Sequence, residues 1–132
     1  MLPYAYVWRG YIVNIAIFVA GCLMTLTVFV HVLMGGVKIM KPLRATRLPR
    51  LVAAVMEIVW HGVNVTLICL AGGLFWLAWH DNQPLMWLIC AIQVGFATLF
   101  IWYGFTRLKS LWPMPQWIVF LGIPVLTVWG MG

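Results

Sequence analysis

Glu57, His61 and Asn64 stand four and three residues apart, the spacing that brings side chains onto one face of a helix. Glu57 is the only acidic residue inside an apolar run of this chain, where a charge costs about 3 kcal/mol on membrane-insertion scales. His31 lies in the preceding apolar run and Gln93 in the following one. Together these five are the residues that could carry chemistry.

Depth counting relates them. His31 lies seven residues before Lys38, and Glu57 seven after Arg50, so each sits roughly 10 Å inside at 1.5 Å per helical residue. In an antiparallel hairpin they come level and can pair. The simplest reading is that Glu57, His31 and His61 satisfy one another and pin helix packing, since a Glu–His pair leaves less desolvated charge than a lone carboxylate. A second is proton or ion movement through Glu57 with His61 and Gln93. A third is a cofactor. Glu57-x-x-x-His61 plus His31 offers three metal ligands, but carboxylate-bridged metal pairs take more carboxylates than one. A haem or pigment between His31 and His61 needs both rings at one height, and His61 is about 6 Å deeper. No cofactor is therefore expected. No nucleophile–base pair, glycine-rich phosphate loop or strong metal spacing is present, which argues against an enzyme.

The elements that must hold these residues are plain. The 132 residues are 65% hydrophobic and 8% charged, against roughly a quarter charged in a soluble domain, so lipid is the expected solvent. Four apolar runs, about 11–37, 51–79, 85–106 and 116–130, each approach the roughly 20 residues that a helix needs to cross a bilayer. Barrel strands would alternate polar and apolar residues, which these uniform runs do not. The expected fold is all-α, a single-domain bundle of four transmembrane helices. Pro49 suits the first turn of helix two, Asp81-Asn82-Gln83-Pro84 is a capping turn, and Trp112-Pro113-Met114-Pro115 is a second reversal. Helix four is short and carries Gly122 and Pro124, which predicts a kink or a thin crossing. Gly35-Gly36 is expected to end helix one.

Charge sets the orientation. Lys38, Lys41, Arg44, Arg47 and Arg50 cluster between helices one and two, and Arg107 and Lys109 between three and four; Arg9 is the exception. Basic loops stay in the cytoplasm, so both termini are expected on the extracytoplasmic side. The same bias accounts for the net charge of +6 without nucleic acid. The five-residue cluster predicts contact with anionic lipid headgroups, at about 1 kcal/mol per residue, or with a partner. Tyr4, Tyr6, Trp8, Tyr11, Trp76, Trp79, Trp87 and Trp129 fall at one interface, and Trp102, Tyr103, Trp112 and Trp117 at the other, as aromatic belts.

Cys22, Cys69 and Cys90, an odd number inside apolar runs without CxxC spacing, read as packing residues. Val19-Ala20-Gly21-Cys22 is similar to a lipoprotein cleavage box, but the apolar run continues to Val37, too long for a signal segment. Gly21 with Thr25, Gly72-Gly73 and Gly95 allow close helix approach, within the bundle or against another subunit.

Trp60-His61 midway along helix two and Pro115-Gln116-Trp117 opening helix four resemble a group of small four-helix bacterial inner-membrane proteins. The resemblance implies a bacterial cytoplasmic membrane and carries no activity with it. Signatures of small multidrug transporters, rhomboid proteases and b-type cytochromes are absent. The expected role is a non-catalytic accessory or assembly subunit of a larger respiratory or photosynthetic complex, associated with other membrane subunits or with itself. The alternative is a small proton- or ion-coupled transporter or channel using Glu57 and His61. Third comes a haem, pigment or metal binder through His31 and His61.

Overall fold

The computed structural model describes residues 13–132, and these form helices with no strand. Helix α1 (Ile15–Ala45), α2 (Arg50–Trp79) and α3 (Gln83–Leu108) are long and apolar enough to cross a membrane, and α4 (Gln116–Met131) is a shorter apolar helix. These are the marks of a helical membrane protein. The expected start of helix one at position 11, Arg9, and the aromatic residues Tyr4, Tyr6, Trp8 and Tyr11 lie outside the described residues.

The caps explain where the helices begin. Asn14 Oδ1 accepts the Ile17 N–H at 3.2 Å to open α1, and Asn82 Oδ1 accepts the Leu85 N–H at 2.9 Å to open α3; each satisfies an amide that the helix itself cannot. Pro49 precedes α2 and Pro84 occupies the first turn of α3. Lys109, in the left-handed region at φ 56°, closes α3 by returning its N–H to the Gly104 carbonyl.

Helix one does not end at Gly35-Gly36. It widens into π-helical turns over His31–Met40 and resumes as an α-helix over Lys41–Ala45. Pro42 has no N–H to give to the chain behind it. Just before it, the Lys41 N–H bonds to Gly36 O, five residues back, so the wider turns carry the helix into Pro42. Lys38, Lys41 and Arg44 are consequently helical, not loop, residues. A second π-helical turn, Gly104–Leu108, lengthens α3.

Helix α1 packs on α2 along one side and on α4 along the other, and α3 packs on α4. Contact between α2 and α3 is slighter and includes Gly73 against Ile89, whose terminal methyl would lie 2.7 Å from a Cβ at Gly73. The buried positions repeat at intervals of three and four: Ile17, Ala20 and Met24; Leu67, Leu70, Leu74 and Leu77; Met86, Ile89, Gln93 and Ala97; Phe120, Ile123 and Thr127. That is the stripe a helix presents to its neighbours. Lipid is as apolar as leucine, so close packing rather than transfer from water holds such a stripe together. In α2 it begins only at Leu67, and no residue of Arg50–Thr66 is fully buried.

Candidate functional site

The hairpin of α1 and α2 carries four of the five polar residues singled out above, and it does not gather them into one cluster. Glu57 pairs with Arg44 and not with His31, which corrects the expected Glu57–His31 pair. Arg44 Nε donates to Glu57 Oε1 at 2.9 Å, and the two side chains remain 58% and 42% exposed. The pair exists because α1 runs on past Gly36 and holds Arg44 against α2.

His31 meets Trp60 instead. The rings stack with centroids 4.2 Å apart and planes 19° from parallel. Gly35, one turn beyond His31, makes space for this indole: a Cβ there would lie 2.4 Å from the Trp60 ring. His31 Nε2 is shielded and has no hydrogen-bond partner among the described residues.

His61 is exposed on α2, and Asn64 is half-buried with its Oδ1 unpartnered among the described residues. Gln93, on α3, is 0% exposed, and neither its amide nitrogen nor its oxygen has a partner among the described residues. Burying an amide without a hydrogen bond costs on the order of 1–3 kcal/mol by protein mutational scales. No group of three His, Cys, Asp or Glu side chains that could hold a metal occurs among the described residues, so Glu57, His61 and His31 do not converge. Lys38, Lys41, Arg47 and Arg50 are exposed at the same end as Arg44.

Three contacts escaped sequence reasoning. Asn14 caps α1, donates its Nδ2 to the Gly130 carbonyl of α4, and gives its backbone N–H to the Ala78 carbonyl of α2 at 2.8 Å. It ties three helices at the end of the bundle that carries Asp81. An Asn just before a long apolar run is a cap signature and was available as a signal. Trp60 as the partner of His31 and Arg44 as the partner of Glu57 had no comparable signal. Trp117 Nε1 and Gln116 Oε1, at the start of α4, are also buried and unpartnered among the described residues; Trp117 packs against the core rather than standing in an aromatic belt. Trp76, Trp79, Trp87, Trp102, Tyr103, Trp112 and Trp129 are exposed. At the Asp81 end, His80 is exposed, stacks on Trp76 with centroids 4.4 Å apart, and places Nδ1 3.0 Å from the Trp76 carbonyl.

Comparison with protein-family models, with curated proteins and with solved structures finds no match to this chain. The chemistry of the site therefore rests on its own geometry. That geometry holds a helix half with no fully buried residue, an exposed histidine within it, and a carboxylate already engaged by arginine.

Proposed function

We propose that this protein is a four-span protein of the bacterial inner membrane, with both termini outside, that serves as a non-catalytic accessory or assembly subunit of a larger membrane complex of the respiratory or photosynthetic kind. The observation that carries the reading is the open half of α2. From Arg50 to Thr66 this helix has no fully buried residue, yet it displays His61 about 17 Å along its axis from Arg50 at 1.5 Å per residue. A polar side chain at that depth faces a bundle interior or a partner, because lipid offers it no hydrogen bond. Among the described residues it has neither.

The basic end supports the orientation. Five Lys and Arg residues between positions 38 and 50, with Arg107 and Lys109, sit at one end of the bundle, while Asp81 marks the other. Anionic lipid headgroups suit the exposed Lys38, Lys41, Arg47 and Arg50. A transport role through Glu57 is less well supported, because its carboxylate is held by Arg44.

Extraction from native membranes into lipid discs, followed by mass identification of whatever co-purifies in fixed ratio, tests the reading. A stoichiometric larger complex is the expected result. Recovery of the chain as a lone monomer overturns it.

A further inference from the structure

We infer that α2 seats one transmembrane helix of a different subunit, and that this helix presents an Asp or Glu carboxylate to His61. The inference rests on the accessory-subunit reading and names the chemistry of the partner.

The seam is legible on α2. Ala54, Ile58, His61, Val65, Ile68 and Gly72 follow one another at intervals of four, three, four, three and four residues. That heptad-like spacing forms the line along which two helices pack. Every one of the six is exposed, Ile58 at 70% and Val65 at 60%. The residues suit close packing between helices in lipid: small ones stand at both ends and β-branched ones flank the histidine. A Cβ built on Gly72 meets nothing within 4 Å, so a partner backbone can come near. This seam is distinct from the stripe Leu67, Leu70 and Leu74 that α2 turns into its own bundle.

Charge then selects the occupant. His61 stands at the middle of the seam and needs a hydrogen-bond acceptor or a counter-charge. The chain has two acidic residues in all, Glu57 and Asp81. Glu57 is bonded to Arg44 of α1, and Asp81 lies beyond the far end of α2. A second copy of this chain therefore brings near His61 only a carboxylate already paired with arginine, and it adds seven more Lys and Arg residues to an end that is already basic. A heterologous helix with a carboxylate at mid-depth meets both requirements. Carboxylate and imidazole then satisfy each other inside lipid, where each alone is costly.

The test uses the full chain in native membranes, with a photo-reactive amino acid at Ile58 or at Val65 and, as a control, at Leu99 on α3, which is also exposed. Both seam positions are expected to cross-link one transmembrane segment of another protein, with an Asp or Glu within one turn of the adduct, and the Leu99 position is not. His61→Ala and the partner's carboxylate-to-amide change should each lower recovery of the complex roughly three- to fifteen-fold, the range of strong interhelical hydrogen bonds, and their combination no further. A heterologous segment without a nearby carboxylate, or independent losses in the double variant, overturns the inference and leaves the accessory-subunit reading standing. Adducts of two copies of this chain, or of lipid alone, overturn both. His61→Gln, which keeps a hydrogen-bonding side chain, separates a folding defect from a lost contact: recovery of the monomer should match the parent while the complex weakens.

Discussion

The two ends of this bundle are built differently, and the end that carries the Lys and Arg residues is also the less apolar one. Toward Asp81, the helices interlock through Ile17, Met24, Leu74, Leu77, Ile89 and Ile123, all essentially buried, and Asn14 ties α1 to α2 and α4. Toward the basic residues, α1 continues through π-helical turns and α2 through Arg50–Thr66 with almost nothing buried but Met40. Apolarity alone does not decide which half packs, since lipid and a helical neighbour are equally good solvents for Leu and Ile. Gly21 lies under the Phe75 ring in the packed half and Gly35 against the Trp60 ring in the open half, whereas a Cβ built on Gly36 or Gly62 meets nothing within 4 Å. One half supplies most of the bundle's buried contacts, and in the other no residue of Arg50–Thr66 is fully buried.

Truncation in each half is the sharpest way to break that contrast. Leu74→Ala removes a fully buried side chain and should cost about 2–5 kcal/mol. Ile58→Ala, on the seam, should fall within about 0.5 kcal/mol. Reversible unfolding of the purified protein in mixed micelles measures both. Equal losses would mean that the isolated chain buries its basic half as well.

Gly35→Val probes a tight contact of the open half. Its Cβ would lie 2.4 Å from the Trp60 ring, so the indole must leave His31 or the helices must part. A loss of about 1–3 kcal/mol is expected, with a change in Trp fluorescence. An unchanged stability and spectrum would show that the His31–Trp60 stack contributes nothing.

How much of this was readable beforehand follows from what one-dimensional spacing can encode. Helix identity and the Asn82-Pro84 and Pro49 starts were legible, because caps and prolines act locally. The continuation of α1 through Gly35-Gly36 was not, because it depends on a π-helical register that carries the chain into Pro42. Depth counting put His31 and Glu57 level, but height along an axis says nothing about which way a side chain turns. Trp60 took the place opposite His31, and the added turns of α1 brought Arg44 to Glu57. Gln93 was legible as polar but not as buried, since the packing of α3 on α4 decides which face closes.

Gln93→Leu tests the packed half from the opposite direction. It replaces a fully buried amide, unpartnered among the described residues, with an apolar side chain of similar size, and should stabilise by about 1–3 kcal/mol. A destabilised variant would show that the amide finds its hydrogen bonds in the assembled membrane.

A small effect is also expected at the ion pair, and it sharpens the contrast further. Glu57→Gln removes the charge that Arg44 engages, but both side chains are substantially exposed at the end of the bundle where Lys41 and Arg50 are exposed too. Exposed pairs are worth about 0–1 kcal/mol, and an amide oxygen can still accept from the arginine. Stability in mixed micelles should therefore change by less than about 1 kcal/mol. Recovery of a larger complex should be little altered, because Glu57 faces Arg44 of its own chain while His61 faces outward. A loss of the complex in Glu57→Gln equal to that in His61→Ala would mean that the two residues act as one site, and that the boundary between the hairpin's own contacts and its docking face runs on the other side of Glu57.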